Sequence, residues 1–219
     1  MAPRVFAIHK PALKNQYTIT GPSRDAAIAA ECIFAKLRPA LNKRPFLVLH
    51  DGPDANCPVA AVSHLPPFAK HFAIGLGDSA PPVVADEQLP DMVWEELHMA
   101  HSSGKKHTWA MDVAGGGGGG GGDCHRRRRM NLVWTRTRSV TVDGMARPPL
   151  STRNWKLTEL TPAEGSTRAG TAGAESVLAV FTSTTQTGKC GNLQINVDHG
   201  REFDMMLFAT CLSLYSSGR

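Results

Sequence analysis

The sequence predicts a mainly β protein, an antiparallel barrel of about twelve strands closed around one apolar C-terminal helix. Three observations carry this. Short β-branched or aromatic runs recur along the chain, with turn residues between them. No strand–helix–strand alternation interrupts them, so a parallel sheet is excluded. The last long segment, FDMMLFATCLSLY (203–215), is apolar almost all the way round.

The strands follow in order: RVFAI (4–8), QYTIT (16–20), ECIFAKL (31–37), PFLVLH (45–50), CPVAAVS (57–63) and KHFAIGL (70–76). The second half continues with MVWEELH (92–98), HTWAMDV (107–113), NLVWTRTRSVTV (131–142), NWKLTEL (154–160), SVLAVFTS (176–183) and GNLQINV (191–197). Breaks such as GPSRD, DGPDAN, GDSAPP, HSSGKK and VDGMARPP hold the Gly, Pro, Asn and Asp residues that turns require. Two inserts lengthen the loops, at 114–129 and 161–175. The first contains eight consecutive glycines (115–122), a flexible tract that lacks the GK[ST] ending of a phosphate loop. Both inserts lie between strands, so the expectation is a single domain over 1–219 with its core in about 14–216.

The closing segment explains how such a barrel could be filled. A surface helix leaves a polar face; 203–215 does not. Its length of about 20 Å is short of a bilayer's ~30 Å hydrocarbon core, and Asp204 lies inside it. A membrane tail anchor is therefore the weaker reading. The stronger one places Phe203, Met206, Leu207, Phe208, Cys211, Leu212 and Tyr215 in the protein core, with Glu202 and Asp204 at the positive helix end.

A set of motifs in fixed order then suggests kinship. YTITGP (17–22), HFAIGLGD (71–78), MVWEEL (92–97), LVWTRTRSVTVDG (132–144), STRNWKL (151–157), AVFTS (179–183) and FDMMLFATCLSLY (203–215) resemble a fungal family of uncharacterised domains. That family is similar to the tubby C-terminal-like fold, which includes LURP-one-related and phospholipid-scramblase-like proteins. The resemblance implies a barrel threaded by a C-terminal helix and a binding or scaffold role, since some tubby-like domains bind phosphoinositides. Their ligand residues have no matching motif here. The glycine tract and the arginine run after it stand outside the resemblance.

Charge is the sharpest functional signal. The chain carries a net +5, yet residues 124–156 hold nine Arg or Lys and one acid, leaving the remainder at −3. The candidates for an anion or lipid site are Arg126, Arg127, Arg128, Arg129, Arg136, Arg138, Arg153 and Lys156. On an extended strand Leu132, Trp134, Arg136, Arg138 and Val140 alternate onto one face, which would set Arg136 and Arg138 side by side. Guanidinium forks match phosphate geometry, so an anionic membrane surface is the first expected partner. The bland alternative is a solvated basic face. A protein partner stays open, and nucleic acid is the alternative of a different class: HRRRRM is a short basic patch that could equally direct nuclear import. Against it stand 6% aromatic residues and the absence of a reading motif.

Chemistry finds less support. His98, His101, His107 and the Cys124-His125 pair match no zinc spacing, and no metal or cofactor is expected. GxSxG is absent. Glu95 and Glu96 are adjacent on a strand and point to opposite faces, while Trp94 and Glu96 share one. Lys189 beside Cys190 could lower that thiol's pKa, but a turn cysteine without function is the plainer reading. A non-enzymatic domain is therefore expected, with an enzyme third in order. Five cysteines without a CxxC pair fit a reducing compartment. The N-terminal residues lack the apolar core of a secretory signal, and Pro3 and Pro11 oppose the helix of a mitochondrial presequence. The expectation is a cytoplasmic monomer, peripheral to membranes or nuclear at most.

Overall fold

A computed structural model of the chain describes residues 2–22, 30–38, 45–66, 69, 71–80, 93–100, 104–114, 127–144, 153–160, 176–184 and 186–217. Twelve strands and one helix form. They are β1 (Arg4–His9), β2 (Gln16–Gly21), β3 (Glu31–Leu37), β4 (Leu47–His50), β5 (Val59–His64) and β6 (His71–Ala80). Then follow β7 (Val93–Met99), β8 (Lys106–Ala114), β9 (Arg127–Arg136), β10 (Trp155–Glu159), β11 (Val177–Ser183), β12 (Lys189–Ile195) and α1 (Arg201–Ser216). Each strand pairs antiparallel with its neighbours in sequence, and β1 closes the barrel on β12. The predicted fold is the observed one.

The alternation that predicted the strands is the alternation that fills the barrel. Tyr17, Ile19, Ile33 and Ala35 are buried, while Thr18, Thr20, Cys32 and Phe34 face outward and are half-buried. Inward side chains from all round the barrel meet the helix. Phe6 of β1 packs edge-on against Phe208, with ring centroids 5.1 Å apart, and Trp109 of β8 lies 6.4 Å from Phe203. Phe181 of β11 and Tyr17 of β2 flank Tyr215. Every helix residue from 203 to 214 is buried. Among the described residues no helix is long and apolar enough to cross a membrane.

Three polar residues inside this helix find partners on three different strands. Asp204, with its side chain fully buried, receives both Arg4 guanidinium nitrogens at 2.6 and 2.9 Å. Thr210 accepts the Trp134 indole N–H at 3.0 Å and donates to the Met206 carbonyl at 2.8 Å. Ser213 and Ser63 share a hydrogen bond of 2.8 Å. A featureless apolar rod could rotate or slide in its sleeve. These pairs fix its rotation and depth, because misplacing any of them strands a buried polar group.

Most strand ends shift by one to four residues, β6 for instance running to Ala80 rather than 76, and two larger differences bear on the candidate site. The loop expected over 114–129 is shorter, since β8 and β9 form one long hairpin paired from Lys106↔Thr135 to Ala114↔Arg127. Arg127, Arg128 and Arg129 are strand residues, while Arg126, the glycine tract and the 161–175 insert lie outside the described residues. The strand expected over 131–142 ends at Arg136. The reason is local: the Thr137 hydroxyl accepts the N–H groups of Ser139 and Val140, a turn that competes with the ladder.

Two outcomes follow for stability. Leu207→Asp or Leu212→Asp puts an unpaired charge in a fully buried site, with a penalty of more than ~4 kcal/mol. Far-UV circular dichroism and size exclusion should find no cooperative, monomeric fold. Arg4→Met removes the ion pair of the buried Asp204 carboxylate and should cost about 3–5 kcal/mol in urea unfolding. The double variant Arg4→Met/Asp204→Leu should recover most of that loss.

Candidate functional site

The antiparallel registers place every turn at one of two barrel ends. Because β12 leads into the helix, Arg4, Glu31, Asp51, Glu159 and the helix start share one end. The opposite end holds the helix C-terminus, where Tyr17 hydrogen-bonds Ser216 at 2.9 Å. The two ends differ sharply in charge.

Consider the end at the helix C-terminus, taking its described turns and the two flanking residues of each strand. Lys10 and Lys14 lie in the β1–β2 turn, and Lys36 and Arg38 at the close of β3. Lys105 and Lys106 open β8, Arg136 and Arg138 follow from β9, Arg153 and Lys156 open β10, and Lys189 opens β12. Eleven bases meet one acid, Asp143, and that acid is engaged by Gln194 through both its backbone N–H and its carboxylate. The local charge is thus +10 in a chain of net +5. The last helical turn has no base of its own, so the rim supplies the cations that suit the negative helix end.

Aromatic rings hold some of these cations. Arg136 lies over Trp155 at 5.1 Å, Arg153 over Tyr215 at 5.3 Å, and Lys10 over Tyr17 at 5.6 Å. Burial, and then the Arg153 charge nearby, lower the Arg136 pKa. The Arg136 Nε is buried with no hydrogen-bond partner. The Arg136 and Arg153 guanidiniums are near enough to repel each other, and each is stacked on a ring of the basic end. The exposed tip of the β1–β2 turn adds a different element. Leu13 is fully exposed, has φ 63°, and stands between Lys10 and Lys14 in sequence. A leucine in the left-handed region carries a conformational cost.

The eight candidate cations therefore do not form one site. Arg136, Arg138, Arg153 and Lys156 belong to the basic end. Arg138 lies in the bend beyond β9, and Arg136 points inward with Leu132 and Trp134, so the expected side-by-side strand pair is not formed. Arg127, Arg128 and Arg129 lie at or near the other end, each against an acid. Arg127 meets Glu202 at 3.4 Å, and Arg128 meets Glu159 at 2.9 Å. Arg129 grips Glu95 with both nitrogens, one at 2.6 Å, and approaches Asp112 at 3.8 Å. Sequence reasoning missed these acids because they come from distant strands; it also missed Lys10, Lys14 and Leu13, which look ordinary until the barrel closes.

The residues weighed for chemistry separate as well. Glu96 points out and pairs with His98 at 2.7 Å, whereas Glu95 is the buried acid. His107 is fully buried against Trp155. His101, Cys124 and His125 lie outside the described residues, among which no group of three or more metal-ligating side chains occurs. Cys190 is a buried strand residue rather than an exposed turn residue; burial raises its thiol pKa, opposite to the lowering that Lys189 was expected to cause. Comparison with known protein families, curated proteins and solved structures finds no match.

Histidines set a pH response. Burial lowers the pKa of His64 and of His199, the latter with help from Arg128. The unfolded chain then binds protons that the folded one refuses, so stability is complete above the ordinary histidine value and is lost as pH falls through about 6.5. Urea unfolding between pH 7.5 and 5.5 should show falling stability, and His64→Phe should flatten that slope.

Proposed function

We propose that the protein is a binding domain, not a catalyst, which docks the basic end of its barrel on surfaces rich in phosphate anions, with membrane headgroups as the partner. One observation carries the reading: eleven bases against one acid among the described residues of that end. A base held near an anionic bilayer is worth about 1 kcal/mol, so even half of them would support stable attachment. Leu13 supports a membrane over a soluble polyanion, since an exposed apolar tip between lysines suits the headgroup boundary. The resemblance to tubby-like proteins points the same way.

Sedimentation with neutral, phosphatidylserine and phosphoinositide vesicles, at low and physiological salt, tests this. Anionic vesicles should carry the protein down and neutral ones should not. Arg138→Glu/Arg153→Glu, both exposed, should weaken binding at least about thirtyfold, from ~1 kcal/mol per lost base. Leu13→Ser should weaken it further, and Arg128→Glu at the other end should change little. Absence of binding at low salt, or indifference to the Arg138/Arg153 variant, would refute the proposal. Preference for a DNA duplex, with a steep salt dependence, would assign the partner to nucleic acid instead.

A further inference from the structure

The backbone ladder of the barrel is shortest between β7 and β8. These strands are joined by two residue pairs, His98↔Thr108 and Met99↔His107. Beyond them the register would set 93–97 against 109–113, yet no pair forms there. Both strands remain fully laddered on their other sides, β7 through six pairs to β6 and β8 through nine to β9. The backbone ladder therefore lapses along one seam, toward the helix N-terminus.

Behind the seam lies a cavity of about 350 Å³. Its apolar part includes Val59, Leu76, Val93 and Met111 from the wall, with Met205 and Met206 from the helix. That volume is at the lower end of the ~300–1,000 Å³ of small-molecule sites, and methionine adapts readily to an occupant's shape. Its charged rim includes Asp51, Glu95, Asp112 and Glu202 against Arg127 and Arg201. Glu95 also lines the hollow on the outer side of the seam, together with Trp94, Trp109 and Arg129. The Glu95–Arg129 pair reaches across β8, standing where the backbone ladder is missing.

The charges around the cavity do not balance. Arg127 serves Glu202, Arg129 serves Glu95 and Asp112, and Arg201 serves Glu31 and Asp51. Five carboxylates thus share three guanidiniums, an excess of two negative charges among the described residues. The helix N-terminus offsets about half a charge, so the rim stays negative. Burial also holds the Asp51 carboxyl above its ordinary range.

We propose that this seam cavity is a binding site for a small cationic amphiphile, an alkylammonium whose chain enters between β7 and β8 onto Met111, Met205 and Met206 while its ammonium rests among Glu95, Asp112 and Asp51. Charge complementarity selects the head group, and the methionine-lined interior selects the tail. The site is at the opposite end of the barrel from the proposed anionic surface and has the opposite preference, so it stands or falls independently of that reading.

Isothermal titration of the full chain with octylammonium, 1-octanol and octanoate decides it. Octylammonium should bind at one saturable site, about tenfold more tightly than octanol, with octanoate weakest, a difference worth about one ion contact. Asp112→Asn, a half-exposed change that should leave the thermal melt intact, should weaken octylammonium about threefold and leave octanol unchanged. Arg138→Glu/Arg153→Glu should leave it unaltered. No saturable octylammonium binding, equal affinity for the three probes, or indifference to Asp112→Asn would overturn the proposal.

Discussion

A helix buried on every side has no face to give to water, and the rest of this structure follows from that constraint. Twelve consecutive helix residues, 203 to 214, are buried. Only a closed wall can cover a helix in all directions, and antiparallel strands close without leaving an exposed edge. The wall must then present apolar side chains inward at alternate positions of every strand. Among the polar exceptions, Arg4, Ser63 and Trp134 with its indole N–H meet Asp204, Ser213 and Thr210. Packing supplies the driving force, while these three contacts specify one seating of the helix over its near neighbours.

The same topology sorts charge. Arg127 and Arg136 are nine residues apart and appear in the sequence as parts of one basic cluster. On an extended strand that separation is about 30 Å, so they lie at opposite ends of the barrel. At one end the acids of β10, the helix and nearby strands meet the arginines. At the other, bases from six separate chain segments converge with a single acid among the described residues. Such an arrangement costs stability through self-repulsion. Ring stacking of Arg136, Arg153 and Lys10, and the negative end of the helix, offset part of that cost.

The seam shows how closure can be incomplete without being lost. Two residue pairs at the basic end keep β7 and β8 joined, and the Glu95–Arg129 ion pair spans the part where they separate. Glu95 takes the inward parity of Leu97 but finds its partner, Arg129, on the outer side, beside the stretch where the ladder lapses. The cavity of about 350 Å³ lies beside the stretch where that ladder lapses.

How much of this was legible beforehand varies with the range of the interaction that decides it. Period-two alternation, turn residues and the uninterrupted apolar character of 203–215 are local properties, and all twelve strands and the helix were readable from them with small errors at their ends. The early stop of β9 turned on the Thr137 hydroxyl and the two backbone N–H groups it accepts, a local signal hidden inside an apolar, β-prone run. The site was less legible. Residue type marked Arg136, Arg138, Arg153 and Lys156 as cations, but not that Lys10, Lys14, Lys36, Arg38, Lys105, Lys106 and Lys189 would join them. Nor could sequence proximity reveal that Arg127, Arg128 and Arg129 would meet acids contributed by β7, β8, β10 and the helix. The sequence by itself determined the elements and the buried helix, because those depend on patterns within a few residues. Only the tertiary structure decided which charges are neighbours, because that depends on the barrel register and on which end each turn comes to occupy.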